Sequence, residues 1–261
     1  ASFIVTRLIE TMIDKSINIK NSKVESLTIN NSEFKSDIVL SGADYAHTET
    51  LLSSKYRQYT NKYWSKKTWA PSSLLFYVGF DKKISDVAHH NLFFDTNFDD
   101  HAIDIYDQPK WPKDPLFYAN FTSKTNSKTA PEGCENWFVL VNAPIENGQD
   151  WDKEVADKRS YLIAKISKLL GEDIAPLIAA EEKVDPRDIE SRYSGKQGSI
   201  YGNASNNRFA AFYRHPNYSK RIKGLYFAGV SVHPGGGIPL ALNSAKIACE
   251  CLFKDFKILG Y

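Results

Sequence analysis

The sequence lacks a long apolar run, a strong excess of charge of either sign, and a rich supply of cysteine. None of its apolar stretches approaches the roughly 18 residues that a membrane-spanning helix needs, and no charged-then-apolar signal peptide opens the chain. Its 33 Lys and Arg nearly balance its 31 Asp and Glu, and the resulting charge of +2 argues against a nucleic-acid partner. Cys134, Cys249 and Cys251 are odd in number, and the C-x-C spacing is too short for an easy disulfide. We therefore expect a protein of the reducing cytoplasm.

The composition is that of a folded globular protein. Hydrophobic residues make up 42% of the 261 residues and aromatic residues 13%, which is enough apolar surface to offset the entropy lost on folding. The length exceeds the roughly 100–200 residues of a typical domain. The sequence therefore predicts one large domain or two smaller ones.

Helical spacing and strand-like runs follow one another in the first part of the chain. Apolar residues recur every three or four positions over residues 3–13, which predicts an amphipathic helix. Residues 24–29 and 33–40 are typical of strands, and Asn30-Asn31 between them tolerates the positive φ of a tight turn. The run Ile38-Val39-Leu40 predicts a strand buried on both faces.

The middle of the chain predicts an antiparallel sheet followed by helices. Strand-like runs at 74–80, 92–94, 116–121 and 137–142 are separated by stretches rich in Asp, Pro, Ser and Asn. Residues 151–170 return to helical spacing, with Gly171 as the expected C-cap. Asp185-Pro186 is expected to begin another helix. Residues 55–69 predict a surface helix or a domain boundary.

A glycine-rich segment near the C-terminus carries most of the functional information. Residues 223–230 have the pattern of a buried strand, residues 235–237 are three glycines, and residues 240–248 predict a helix of small and apolar residues. A strand, a glycine loop and a helix in this order can hold an electron-rich ligand edge against helix N–H groups. On glycine content alone, an ordinary turn before a core helix is an equally good interpretation.

The longer string GLYFAGVSVHPGGGIPLALNSAKIA, residues 224–248, closely resembles the C-terminal flavin-binding signature of the phytoene (carotenoid) desaturase family. This family belongs to the FAD-dependent, amine-oxidase-like flavoproteins. Three further segments resemble the family's motifs in the same order: SDIVLSGAD at 36–44, HHNLFF at 89–94 and GSIYG at 198–202. The resemblance therefore covers essentially the whole chain.

The resemblance implies an α/β protein with FAD as its cofactor. A partial Rossmann-like FAD-binding domain would comprise residues 1–55 and 196–261, and an antiparallel-sheet substrate-binding domain with helices would comprise residues 56–195. The family's N-terminal G-x-G-x-x-G motif, which holds the pyrophosphate of FAD, does not occur in this sequence, which starts at Ala1. We therefore interpret the chain as the C-terminal portion of a longer protein.

The resemblance also implies which residues of the glycine segment contact the cofactor. Gly236, Gly237 and Ile238 would meet the pyrimidine edge of the isoalloxazine ring, where helix N–H groups stabilise the negative charge that follows hydride arrival. Gly229 ends the last strand. Val230 stands where many relatives have an acidic residue that binds the ribityl or phosphate part.

Two other segments are implied to contact FAD. Val24 occupies the position whose main chain meets the adenine edge in related flavoproteins, and Gly42 and Ala43 would lie near the phosphate and ribityl region. No residue is implied as a catalytic base. We favour a turn-shaping role for His233 over proton transfer, because a lone histidine is weak evidence for acid–base chemistry.

The remaining polar clusters do not predict a metal site. No spacing in the acidic stretch 99–104 fits a defined metal site, so a solvated loop is the better interpretation, and His89-His90 is interpreted as scaffold. Nine aromatic side chains of the middle region either form the core of the sheet or line a tunnel for a long polyene. Only the alternation of side chains along each strand distinguishes these two interpretations. The nine residues are Phe76, Tyr77, Phe93, Phe94, Phe117, Tyr118, Phe121, Trp137 and Phe138.

The activity implied by the resemblance is desaturation of a carotenoid or a related polyene. The alternatives are a polyene saturase or isomerase, an amine-type flavin oxidase, or a non-catalytic carrier of prenyl or lipid groups. A lipophilic substrate suggests peripheral membrane contact, for which the candidate surface holds five aromatic residues among lysines: Tyr56, Tyr59, Tyr63, Trp64 and Trp69. An ordinary amphipathic surface helix is the alternative there.

Overall fold

The computed structural model describes residues 3–5, 15–84, 87–205, 209 and 213–257. The chain divides into two compact units. The first unit is formed by Ala1–Ala70 with Glu190–Tyr261, and the second by Pro71–Ile189. The divisions therefore fall after residues 70 and 189, whereas the sequence predicts them after residues 55 and 195.

The first unit contains two three-stranded sheets. The parallel sheet has the order β1 (Phe3–Val5), β5 (Ile38–Ser41), β11 (Leu225–Phe227), and the antiparallel sheet has the order β2 (Lys15–Lys20), β3 (Lys23–Ile29), β4 (Ser32–Lys35). Ile38 and Val39 are buried and Leu40 is half-buried, so the predicted two-sided burial of β5 is confirmed. A strand with apolar neighbours on both faces is typical of parallel sheets.

Two tight turns connect the strands of the antiparallel sheet. Asn21 and Ser22 join β2 to β3 with φ of 50° and 58°, and Asn30 and Asn31 join β3 to β4 with φ of 46° and 62°. Two consecutive residues with positive φ match the right-handed twist of the strands that they connect, and Asn tolerates this conformation best after Gly. The turn predicted at Asn30-Asn31 is confirmed.

Two predictions for this region are wrong. Residues 3–5 form a strand that pairs with β5 in parallel, where helical spacing predicted a helix; the remainder of that predicted helix lies outside the described residues. The run of Phe, Ile and Val favours a strand once a neighbouring strand is available. The single strand predicted over residues 33–40 is two strands in different sheets, separated at Ser36-Asp37, where the Ser36 hydroxyl donates to the carbonyl of Ile38.

Among its described residues the first unit also contains the helices α1 (Tyr45–Thr50), α2 (Asn61–Trp64) and α6 (Ile238–Phe256). Asp44 caps α1 by accepting hydrogen bonds from the amides of Ala46 and His47. Residues 55–69, predicted as a surface helix or a boundary, contain only the end of a 3₁₀ turn and the single turn of α2, and the unit boundary follows at residue 70.

The second unit is built on a five-stranded antiparallel sheet, as the strand-like runs predict. Its order is β10 (Ile178–Val184), β6 (Ser72–Phe80), β9 (Glu135–Ala143), β8 (Phe117–Asn120), β7 (His90–Phe93). The sequence analysis did not identify β10, because its sequence IAAEEKV shows no apolar alternation. Pairing with β6 supplies the backbone hydrogen bonds that its own sequence does not predict.

The predicted helix over residues 151–170 is α4 (Trp151–Leu170), and its end at Gly171, in the left-handed conformation with φ of 67°, is also confirmed. Buried residues of α4 pack against one face of the sheet: Val155, Leu162 and Ile166. A short helix, α3 (Phe98–Ala102), continues into a π-helical turn over Ile103–Asp107. The helix predicted after Asp185 is α5 (Pro186–Tyr193), and the buried Asp185 carboxylate accepts from the amide of Arg187.

Candidate functional site

The carboxyl ends of β5 and β11 lie side by side. Phe227 is in register with Ser41, and the amide of Ala228 donates to the Ser41 carbonyl over 2.9 Å. Gly42 follows β5, and a Cβ added to it would meet no atom within 4 Å. Gly229 follows β11 with φ of 117°, which excludes most side chains. Ligands of α/β sheets bind outside the carboxyl ends of the strands, so this bare backbone is a candidate binding surface.

The N-terminus of α6 adds helix amides to the first unit's candidate groups. Gly237 is the N-cap, with φ of 111°, and no side chain of the described residues caps the helix. A Cβ on Gly237 would also meet no atom within 4 Å. Ile238, the first helical residue, is 80% exposed and Leu242 is 69% exposed. The helix therefore begins with uncapped N–H groups beside exposed apolar side chains, an arrangement suited to the electron-rich edge of an apolar ring.

At Gly236 a side chain is excluded by a neighbouring ring of the protein. A Cβ at this position would lie 2.5 Å from Cδ1 of Tyr201, so the Tyr201 ring fills the space that a side chain would need. Tyr201 belongs to the GSIYG segment and is 45% exposed. The flat ring that approaches the glycine loop in this structure is therefore a tyrosine of the chain itself.

Arg214 connects the segments around the glycine loop, and the sequence analysis did not identify it. Its guanidinium donates to the carbonyls of Tyr201 and Val230, each over 2.7 Å, and to the carbonyl of Asn203 and the Ser205 hydroxyl. Its side chain packs against Gly235. Burial lowers the pKa of Arg214 below its ordinary value, and the negative charge of Asp44 opposes this shift. A single arginine in a polar stretch gives no sequence signal for such a role.

Asp44 is the acidic group closest in sequence to the carboxyl end of β5. Burial raises its pKa to about 6, and the amides of His47 and Ala46, then Lys196 and Arg214, oppose the increase. A Cβ on Gly202 would lie 3.3 Å from Oδ2 of Asp44 and 2.9 Å from the Cβ of Ser231. Glycine at 202 therefore lets the GSIYG segment pack against α1 and the residues after β11.

A buried polar network fixes the end of β11 relative to α6. The Asn217 amide donates to the carbonyls of Phe227 and His233 and to the Ser244 hydroxyl. The Ser244 hydroxyl in turn accepts from the amide of Gly229 over 3.1 Å. Ser244 is fully buried, so these bonds hold the strand end, the glycine loop and the helix in one arrangement.

The aromatic residues that the sequence analysis suggested for membrane contact pack inward. The His215 ring lies between Tyr45, with ring centroids 4.5 Å apart, and Trp64, 4.9 Å away. Tyr59 stacks on Tyr63, and the Trp64 indole donates to the buried carboxylate of Glu49. Burial lowers the pKa of His215 to about 4. Trp69 is buried, and Tyr56, Tyr59 and Trp64 are half-buried and pack against the first unit's core.

The structure does not bring every predicted site residue to the strand ends. Ala43 and Val230 follow Gly42 and Gly229 directly and are half-buried. Val24 is buried in the core of the first unit, and its amide already donates to the carbonyl of Lys223 over 3.0 Å. The Val24 N–H is therefore engaged within the protein.

Within the described part of the chain, no group of three or more His, Cys, Asp or Glu side chains is arranged to hold a metal ion. The three cysteines are free thiols. No helix among the described residues combines the length and apolarity needed to cross a membrane.

Two amine oxidases are among the solved structures with a similar fold. Cyclohexylamine oxidase from Brevibacterium oxydans IH-35A matches 94% of this chain and 48% of its own, with a TM-score of 0.57 and 9% identity. A putrescine oxidase triple mutant matches with a TM-score of 0.58 and 8% identity, over 93% of this chain and 48% of its own. The chain therefore has the fold of about half of each of these amine oxidases.

No protein-family model matches the chain. The curated relatives with similar sequences are carotenoid desaturases. The 1-hydroxycarotenoid 3,4-desaturase of Flavobacterium sp. (strain P99-3) is 40% identical over 240 residues, which are 91% of this chain and 48% of the relative. The carotenoid 3,4-desaturase of Haloarcula japonica is 38% identical over 87% of this chain and 46% of the relative. Over most of its length the chain is similar to carotenoid and phytoene desaturases. It spans about half the length of the curated relatives it matches.

Proposed function

We propose that this chain is the C-terminal part of an FAD-dependent oxidoreductase that desaturates a carotenoid or a related polyene. The names and identities of its relatives support the reaction class. The observation that carries the proposal is the bare backbone after β5 and β11, together with a helix N-terminus that no side chain caps.

The residues of the first unit fit a flavin. Gly42 and Gly237 each leave open the space that a Cβ would fill, and Gly229 and Gly237 have backbone conformations that side chains disfavour. We assign Gly42 with Ala43, Gly229 with Val230, and Gly237 with Ile238 as the cofactor contacts. Gly236 would act through Tyr201, whose ring covers it, and Val24 would contact adenine only through groups other than its engaged N–H.

When bound, FAD would accept a hydride from a saturated carbon–carbon unit beside conjugated double bonds, while a proton is lost. The uncapped amides at the start of α6 would stabilise negative charge on the nearby cofactor edge. The exposed side chains of Ile238 and Leu242 would exclude water from it. Arg214 would act as a positioning residue, because it binds the loop carbonyls and not the open surface.

Substitution of Gly42 tests this proposal, because a Cβ there meets no atom of the described residues. In the full protein, we expect Gly42→Leu to lose most of its bound FAD, measured as flavin absorbance per mole of protein. The conservative variant Gly42→Ala should retain most of it. Both variants should melt within a few degrees of the wild type in the flavin-free form.

Two outcomes would contradict the proposal in different ways. Full flavin content in Gly42→Leu would show that the cofactor does not approach the end of β5. A wild-type protein that binds no flavin would exclude the oxidoreductase and favour a carrier of lipophilic groups.

A further inference from the structure

The first unit contains an aromatic cluster that lies apart from the glycine loop. Its five rings can each lose an electron, and they are Tyr45, Tyr59, Tyr63, Trp64 and Trp69. The ring of His215 lies among them. Packing alone would account for such a cluster, but two of its rings also donate hydrogen bonds to side chains that can accept a proton.

Each ring of the aromatic cluster lies close to the next. Tyr59 and Tyr63 stack with ring centroids 4.2 Å apart, and Trp64 lies 5.0 Å from Tyr63. Trp64 is in turn 5.8 Å from Trp69 and 6.1 Å from Tyr45. Electrons move readily between aromatic rings that are almost in contact, because the tunnelling rate falls steeply with distance. An electron vacancy on one ring can therefore pass to the others.

The hydroxyl of Tyr63 is hydrogen-bonded to His215. It lies 3.2 Å from Nε2 of the His215 ring, which is within reach for proton transfer. The backbone of Ser231 hydrogen-bonds to the same ring and favours its charged form, as a carbonyl does when it accepts from the other ring nitrogen. Nε2 is therefore the acceptor in neutral His215, and the Tyr63 hydroxyl donates to it.

The indole of Trp64 also donates to a base. Its Nε1–H donates to Oε2 of Glu49 over 3.2 Å, and the same carboxyl group accepts from the amides of Gln58 and Tyr59. Glu49 is 2% exposed, and burial raises its pKa. An oxidised tryptophan is a strong acid, so a buried carboxylate at this nitrogen stabilises the loss of an electron from the ring.

We propose that the aromatic cluster is a redox-active site that gives one electron to a one-electron oxidant, such as an oxygen-centred radical, and keeps the vacancy on Tyr63. The oxidant gains the electron, and an oxygen-centred radical becomes an anion. The O–H bond of Tyr63 breaks, its proton forms an N–H bond at Nε2 of His215, and a neutral tyrosyl radical remains. An oxidised phenol is a far stronger acid than histidinium, so the transfer is favourable even though burial lowers the pKa of His215 to about 4.

The charges around Tyr63 require the electron and the proton to leave together. Nζ of Lys67 lies 4.3 Å from the centre of the Tyr63 ring, so a positive charge on that ring is disfavoured. Burial, then Lys67 and Arg214 also oppose a positive charge on His215. The proton therefore returns to Tyr63 when a reductant restores the electron, and the site can act repeatedly.

Tyr118 of the second unit provides a matched control. Its hydroxyl also lies beside a histidine, with Nδ1 of His90 2.7 Å away, and both tyrosines are half-buried. The rings beside Tyr118 are those of His90 and Phe138, which lose an electron far less readily than tyrosine or tryptophan. Tyr63→Phe and Tyr118→Phe each remove one hydroxyl and keep the ring, and only Tyr63→Phe changes the aromatic cluster.

The experiment is flash photolysis of the full protein, with light-generated ruthenium(III) tris(bipyridine) in solution as the one-electron oxidant. The tyrosyl radical is followed by its near-ultraviolet absorption and by electron paramagnetic resonance. We expect Tyr63→Phe to lose most of the long-lived radical and Tyr118→Phe to retain it. His215→Phe keeps an aromatic ring and removes the proton acceptor, so it should slow formation of the radical on the order of 100-fold.

Three outcomes would overturn the inference. They are an unchanged long-lived radical in Tyr63→Phe, an equal loss in Tyr118→Phe, or a wild-type radical that decays as fast as that of free tyrosine. If His215→Phe does not fold, the comparison of Tyr63→Phe with Tyr118→Phe decides. The oxidant is supplied from solution, so the result is independent of whether the protein binds flavin.

Discussion

The two units of this chain differ in what their exposed surfaces present. In the first unit the candidate contacts are backbone groups at the ends of β5 and β11 and at the start of α6, and side chains are absent where the ligand would approach. In the second unit the sheet presents side chains that alternate between a buried face and a half-exposed face. We therefore expect added side-chain atoms at glycines to destabilise the first unit, and removal of buried side-chain atoms to destabilise the second.

The largest effect is expected for loss of a core aromatic in the second unit. Phe121 is fully buried, and its ring centroid lies 4.0 Å from that of Trp137. We expect Phe121→Ala to lower the free energy of unfolding by about 4 kcal/mol, measured by urea denaturation. Tyr77→Ala, on the half-exposed face, should cost under about 1 kcal/mol; similar losses would contradict the division between the faces.

A smaller but still large effect is expected for an added methyl group in the first unit. Gly224 has φ of 87°, and a Cβ there would lie 2.2 Å from the carbonyl oxygen of Asp37. Gly224→Ala should lower the free energy of unfolding by about 3 kcal/mol, because the backbone between β4 and β5 must move. Gly42→Ala is the control, since it meets no atom, and it should leave the urea midpoint nearly unchanged.

The smallest effect is a pH dependence in the first unit. Folding raises the pKa of Asp44 from 3.8 to about 6. The folded state therefore holds a proton that the unfolded state releases, so the stability from protonated Asp44 is present below pH 3.8 and is lost as the pH rises through 6. Asp44→Asn keeps a capping side chain and removes this loss, which is about 2 kcal/mol between pH 4 and pH 7.

The measurement is the difference in unfolding free energy between Asp44→Asn and the wild type at pH 4 and at pH 7. His215 contributes with the opposite sign, because its pKa is lowered to about 4 in the folded state and its stability is lost as the pH falls. The subtraction removes that contribution, which both proteins share. A difference that does not grow between pH 4 and pH 7 would contradict the role of Asp44.

Local sequence patterns predicted the features that depend on local chemistry. The turn at Asn30-Asn31, the end of α4 at Gly171 and the start of α5 after Asp185 each follow from the conformational preferences of two or three residues. The glycine loop before α6 was predicted for the same reason. The order of the motifs along the chain indicated the resemblance to the desaturase family.

The features that the sequence did not predict depend on contacts between distant segments. Residues 3–5 form a strand only because β5 offers a parallel partner, and β10 depends in the same way on β6. The roles of Arg214 and Tyr201 follow from segments that meet in space: Arg214 binds the carbonyl of Val230, and Tyr201 covers Gly236. The periodicities and motifs of this sequence do not predict such contacts between distant segments.

The two edges of the five-stranded sheet have consequences for handling the protein. Strand β10 exposes Glu181, Glu182 and Lys183, and charged side chains on an edge discourage pairing with a second sheet. Strand β7, at the other edge, has only four residues and exposes Leu92, with Phe94 exposed just beyond it. Any self-association of this protein at high concentration should therefore begin at the β7 edge, and Leu92→Lys should raise its solubility.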